Sequence, residues 1–203
     1  KEKGLNLIKT LCLFAVYLFY TPIISQILNV FGLTDENIIM FVADLLFLIS
    51  IVILYKKSLR DNWYSFRKDY SWKKKIGVIT KWIAIFFICN MAMGLLTELL
   101  FPSAANEVVE NTSVLSGLKL GYTVFKTIIF ATIAEELLFK KSIRDVIENK
   151  WLFILVSGIV YTAMNFMYSD FSNPYIFVDV LVYLIPAFIF SYAYVKNNDN
   201  IIV

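Results

Sequence analysis

The stretch IIMFVADLLFLISIVILY, Ile38 to Tyr55, decides the fold class. It holds a single charged residue, Asp44, and as a helix it is long enough to approach the ~30 Å hydrocarbon thickness of a bilayer, whereas buried helices of soluble proteins show apolar runs of only about 10–14 residues. Comparable runs lie on both sides. They predict further spans from Leu5 to Phe31, Ile76 to Phe101, Leu118 to Phe139, Trp151 to Tyr168 and Tyr175 to Val195. The expected fold is all-α: a polytopic bundle of about six transmembrane helices, forming a single membrane domain over residues 1–203.

Composition agrees with this reading. Of the 203 residues 59% are hydrophobic and 17% charged, against ~25% charged in an ordinary soluble domain, and the mean hydropathy is +0.70. The first run is too long for the core of a signal peptide and no small-residue cleavage pattern follows it, which predicts a retained span, kinked at Pro22. Asn197 to Val203 reads as a polar turn followed by the start of another apolar run, so a further span is expected there.

Lys and Arg fall on one side of the predicted spans. Lys1, Lys3, Lys9, the segment Lys56 to Lys75, then Lys140, Lys141, Arg144, Lys150 and Lys196 share that side, while Gly32 to Asn37, Pro102 to Gly117 and Ser169 to Pro174 contain neither residue. Both ends of the chain are therefore expected in the cytoplasm, at the cell membrane. Residues 56–75 interleave eight basic side chains with Trp63, Tyr64, Phe66, Tyr70 and Trp72. They are expected to form a cytoplasmic loop that sets topology and rests on the lipid surface. With a net charge of +3 and no continuous basic stripe, the chain lacks a nucleic-acid surface. The richness in Ile, Asn and Lys suits a low-GC bacterium.

Ionisable residues inside spans are costly enough to be functional candidates: Asp44, Glu98, Lys126, Glu135, Glu136 and Asp179. Glu98 is near the end of its span, where water can reach it. Asp44, Lys126 and Asp179 lie deeper, and an ion pair involving Lys126 is as compatible with the pattern as a catalytic or transport role. Glu135 and Glu136 are adjacent, so on an α-helix they point about 100° apart. Glu136 precedes Lys140 by four residues, the favourable order for a helical ion pair, whereas Glu135 shares its face with Ala131, Ala134 and Leu138 and should face neighbouring helices. A carboxylate desolvated there could act as a general base. The same spacing also suits two carboxylates that simply reach to the interface.

The segment EELLFKKSIR, Glu135 to Arg144, resembles the first motif of the CAAX-protease and bacteriocin-processing family, also called CPBP or Abi: a glutamate pair, three residues, then arginine. Trp151 to Phe153 and Ser157 to Asn165 resemble the second motif, an aromatic residue followed four positions later by histidine. The resemblance covers residues 118–203 specifically and the rest only in its pattern of spans. It implies an intramembrane endopeptidase, a hydrolase in which Glu135 is the base, Glu136 and Lys140 support it, and Asn165 occupies the histidine position. Lys140 replaces arginine, keeping the charge and losing the planar fork. Asn165 replaces histidine and can hydrogen-bond a water or an oxyanion but cannot cycle a proton near neutral pH.

The chain contains no histidine, and Cys12 and Cys89 sit in apolar runs with no metal spacing. No metal or other cofactor is expected. The expected function is the handling of a membrane-anchored or lipidated peptide, or of a partner membrane protein. The chain would act either as a glutamate-dependent endopeptidase of low activity or as a protease-derived binder, as in bacteriocin immunity or scaffolding. The alternative is a small transporter or channel subunit with Asp44, Lys126, Glu135 and Asp179 along its path.

Overall fold

The computed structural model describes residues 2–69, 71–100, 117–167, 169 and 176–200, apart from the side chains at 2, 69, 72, 75, 96–98, 100, 178 and 179. The polar connection expected from Pro102 to Ser116, the side chains of Glu98 and Asp179, and the apolar residues 201–203 therefore lie outside the described residues. Those described form six helices and no strand: α1 (Glu2–Val30), α2 (Glu36–Asp69), α3 (Trp72–Leu100), α4, α5 (Lys150–Asn165) and α6 (Ile176–Lys196). Helix α4 begins as an α-helix over Gly117–Val124 and continues in wider, π-type turns over Phe125–Glu135 and Leu137–Ser142. The protein is an all-α membrane bundle.

Three helical stretches are long and apolar enough to cross a bilayer, Lys3–Val30, Glu36–Lys68 and Ile76–Leu95, while Lys150–Asn165 and Val180–Lys196 are apolar but shorter. The 16 residues of α5 rise about 24 Å, a mismatch that local thinning or flanking interfacial side chains can absorb. Pro22 lies inside α1, which runs through it without a break.

Helix starts follow local chemistry. Asp35 caps α2 by accepting from the N–H groups of Asn37 (2.9 Å) and Ile38 (3.1 Å). Asn149 does the same for α5 through Trp151 (3.0 Å) and Leu152 (3.1 Å). Gly32, at φ +81°, takes the left-handed turn that ends α1.

Within residues 56–75, expected as a loop, α2 continues to Asp69 and α3 begins at Trp72. No Gly or Pro occurs between Leu33 and Ile76, Lys and Arg are good helix formers, and Arg67 and Lys68 in the last turn complement the helix dipole. Nothing in the sequence stops the helix where the hydrocarbon ends.

The chain forms two compact units, one of residues 1–61 and 114–148, the other of residues 62–113 and 149–203. In the first, α1 packs on the end of α4: Phe14 and Tyr17 each meet the Phe139 ring edge-on at 5.6 Å, and the Thr10 hydroxyl donates to the Ser142 carbonyl at 3.0 Å. In the second, α5 and α6 pack most extensively and α3 lies against α6. Ser157 and Ser191 share a buried hydrogen bond of 2.9 Å, and Gly158 lets the Phe188 ring rest against the α5 backbone. Small and hydroxyl-bearing residues serve at this interface because membrane helices gain little from the hydrophobic effect and must approach closely.

Candidate functional site

Glu135 closes the first π-type stretch of α4 and Glu136 stands between the two stretches, both half-buried. In such turns the backbone bonds run from i to i+5, so each residue rotates less than the 100° of an α-helix. The wider turns thus flank the glutamate pair, while the backbone at Glu136 itself keeps α-type angles of φ −62° and ψ −42°. Periodicity could not reveal this, because an all-apolar helix looks the same at either pitch.

Glu136 forms an ion pair with Lys140, whose side chain is 10% exposed. A buried ammonium is tolerable only with such a partner, so the pair fixes the position of Glu136. One turn further, Lys141 pairs with Asp145, and the Ser142 hydroxyl donates back to the Leu138 carbonyl. Ala134, Leu137, Leu138 and Phe139 are buried around the glutamates, and Ala131 is half-buried. The first motif thus forms an ordered, desolvated helix segment within one unit, with Glu135 among buried apolar neighbours. Arg144, at the end of that motif, donates to the carbonyls of Ile147 (2.9 Å) and Glu148 (2.6 Å), closing the turn after α4.

Asn165 belongs to the other unit. It is exposed at the last residue of α5, and its amide donates to the Tyr161 carbonyl at 2.9 Å. That bond uses one of its two N–H donors and leaves its carbonyl oxygen as an acceptor.

The deeper charges resolve differently. Asp44 is 2% exposed and accepts hydrogen bonds from the hydroxyls of Tyr20 on α1 and Tyr122 on α4, the latter at 2.9 Å. Lys126 is exposed, its ammonium 5.7 Å from the centre of the Tyr122 ring, and it makes no ion pair among the described residues. The sequence offered no partner for Asp44 because tyrosines in apolar runs look like interfacial or core aromatics. Their hydroxyls are the signal that could have been weighed, since a buried Tyr hydroxyl usually finds a partner.

One intramembrane cation escaped the sequence reading altogether. Lys81 lies well inside α3 and lines an apolar groove of about 570 Å³ in the second unit. Among the described residues no three His, Cys, Asp or Glu side chains converge as metal ligands.

At the end of α4 the arrangement supplies a half-buried carboxylate beside a buried ion pair, chemistry suited to polarising a water. No curated protein and no solved structure matches the chain. Residues 117–203, which contain Glu135, Glu136, Lys140 and Asn165, match the family model of the type II CAAX prenyl endopeptidase Rce1-like proteins, so that part of the chain carries an Rce1-like domain.

Proposed function

We propose that the protein handles a membrane-anchored or lipidated peptide as a glutamate-dependent intramembrane endopeptidase of low turnover, with Glu135 as the base that activates water. The observation that carries this reading is Glu135's place among buried apolar neighbours inside the segment that matches the family model. A carboxylate held at a fixed place beside the scissile bond can take a proton from a water as that water attacks, which is the work of a general base. The Glu136–Lys140 pair supports the role by holding the adjacent carboxylate in place.

Asn165 stands where the family pattern has histidine. An amide can orient a water or stabilise an oxyanion, but it supplies no proton relay, so the reading includes slow hydrolysis. Asp44 takes no part: two tyrosine hydroxyls occupy it and it is shielded from water. That occupancy also favours a structural carboxylate over a station on a transport path, the alternative role for this residue.

The test is cleavage of a panel of membrane-anchored and prenylated peptides by the purified, reconstituted protein. General-base help contributes about 10²–10⁴-fold, so Glu135→Ala should lower cleavage by at least about a hundredfold while helicity and ion pairing elsewhere persist. Asn165→His, which restores the family pattern, should raise it. Cleavage that survives Glu135→Ala refutes the assignment of the base. A folded protein that retains the peptides without cutting them replaces the enzyme reading with that of a protease-derived binder.

A further inference from the structure

The groove around Lys81 lies outside the Glu135 chemistry and is independent of it. Its wall comes from three helices: Lys81, Trp82 and Ile85 on α3, Trp151 and Leu155 near the start of α5, and Tyr192 near the end of α6. Measured along the helices, these positions cluster at the Lys/Arg-rich end of the spans. Lys81 lies nine residues after Trp72, about 14 Å along α3, Trp151 is the second residue of α5, and Tyr192 precedes the end of α6 at Lys196 by one turn. The groove therefore falls within one leaflet, reaching from headgroup depth into the acyl chains.

Its chemistry is divided in the same way. Most of the lining is apolar. Lys81, Trp82, Trp151 and Tyr192, the residues of its wall that carry a donor, present almost only carbon surface to it, and no acidic side chain contributes. The aromatic rings brace one another, Trp151 stacking on Tyr192 at 6.3 Å and Trp82 meeting Tyr192 edge-on at 6.0 Å. Lys81 has no ion-pair partner among the described residues; its ammonium lies 5.5 Å from the centre of the Trp82 ring. Lys150 and Lys196, both exposed, add positive charge at the helix ends beside the groove. The volume lies within the ~300–1,000 Å³ of built ligand sites.

We propose that this groove is a binding site for an anionic phospholipid, with one acyl chain lying against Ile85, Leu155 and Phe188 and the phosphate outside that apolar lining, drawn by the exposed Lys81 ammonium. Charge complementarity selects the head group: a cation without an acidic partner at headgroup depth attracts a net negative lipid over a zwitterionic one. Indole and phenol groups at that depth have an apolar body for the chain and a donor for the phosphate or ester oxygens.

Trp82 provides the readout, because at 8% exposure it is shielded from bulk lipid yet lines the groove. In a variant with Trp63 and Trp72 replaced by Phe, which leaves the groove intact, reconstituted in phosphatidylcholine vesicles, the fluorescence of Trp82 and its groove neighbour Trp151 is titrated with brominated-chain phosphatidylglycerol or brominated-chain phosphatidylcholine. The single charge of Lys81 predicts half-maximal quenching at about a fivefold lower mole fraction of phosphatidylglycerol. Lys81→Gln should abolish that preference, and rising salt should weaken it in the unsubstituted groove, a check that needs no variant at Lys81. Equal quenching by the two lipids, or a preference that persists in Lys81→Gln, overturns the proposal. So does equal relief of quenching by a farnesylated peptide with and without Lys81, which would assign the groove to a prenyl chain.

Discussion

A single added methyl group at Gly158 should unsettle the α5–α6 interface through one ring. A Cβ at this position would stand 2.5 Å from Phe188 Cε1 and closer still to Cδ1, well inside any real contact, so the ring must swing away or the helices must part. Ser157 and Ser191 resist parting because their buried 2.9 Å hydrogen bond would stretch with it. The ring must therefore move, and its open side is the groove it already lines. Overpacking of this kind costs about 1–3 kcal/mol. Gly→Ala in a helix interior returns roughly 0.5–1 kcal/mol of backbone propensity, leaving a net loss of about 0.5–2 kcal/mol. Reversible unfolding in mixed micelles, followed by circular dichroism, would measure it. The diagnostic comparison is a double-mutant cycle with Phe188→Leu: if the clash is with the ring, the pair should couple favourably by 0.5 kcal/mol or more. A Gly158→Ala protein as stable as the parent, or a loss that Phe188→Leu does not relieve, would refute the reasoning.

Two further outcomes follow from pairings in the first unit. Asp44→Ala strands the Tyr20 and Tyr122 hydroxyls and should destabilise by about 2 kcal/mol or more, while Tyr122→Phe, which removes one donor, should cost about 0.6–1.7 kcal/mol. Strict additivity of the two losses in the double variant would exclude the tyrosine–aspartate contact. The Lys3 ammonium, 2.9 Å from Glu148, holds that exposed carboxyl below the usual carboxylate range. Since its folded value is depressed, the pairing is complete above the ordinary glutamate value and is lost as pH falls through the folded one. Carbon-detected NMR titration should show Glu148 moving back up in Lys3→Gln, and an unchanged titration would remove Lys3 as the cause.

Much of the fold was legible because bilayer thickness imposes a length on apolar runs that no soluble core requires. Ile38 to Tyr55 gave the class, and the i,i+4 spacing of Glu136 and Lys140 gave their ion pair. What stayed hidden depended on neighbours in three dimensions or on backbone pitch. The π-type turns of α4 leave no mark on a helix that is apolar all round. The tyrosines that occupy Asp44 are far from it in sequence, and Lys81, five residues into the run from Ile76 to Phe101, looks from its spacing alone like one more of the basic residues that flank a span. The helical continuation of α2 is obscured for a different reason: a change from apolar to basic residues marks where the membrane ends, and nothing in that change marks where the helix ends.

That continuation has an electrostatic consequence. The 34 residues of α2 extend about 51 Å, and even at the ~40° upper range of membrane helix tilt they rise well beyond a ~30 Å hydrocarbon layer. With Ile38 to Tyr55 in the lipid, Lys56 and Lys57 stand at the phosphate plane, whereas Arg67 and Lys68 come eleven residues later in the same helix, about 16 Å of helical rise. At physiological ionic strength the Debye length is about 8 Å, so the outer pair meets a field already weakened by counter-ions while the inner pair feels most of it. Two sets of charges that look equivalent in the sequence should thus respond very differently to the charge of the bilayer.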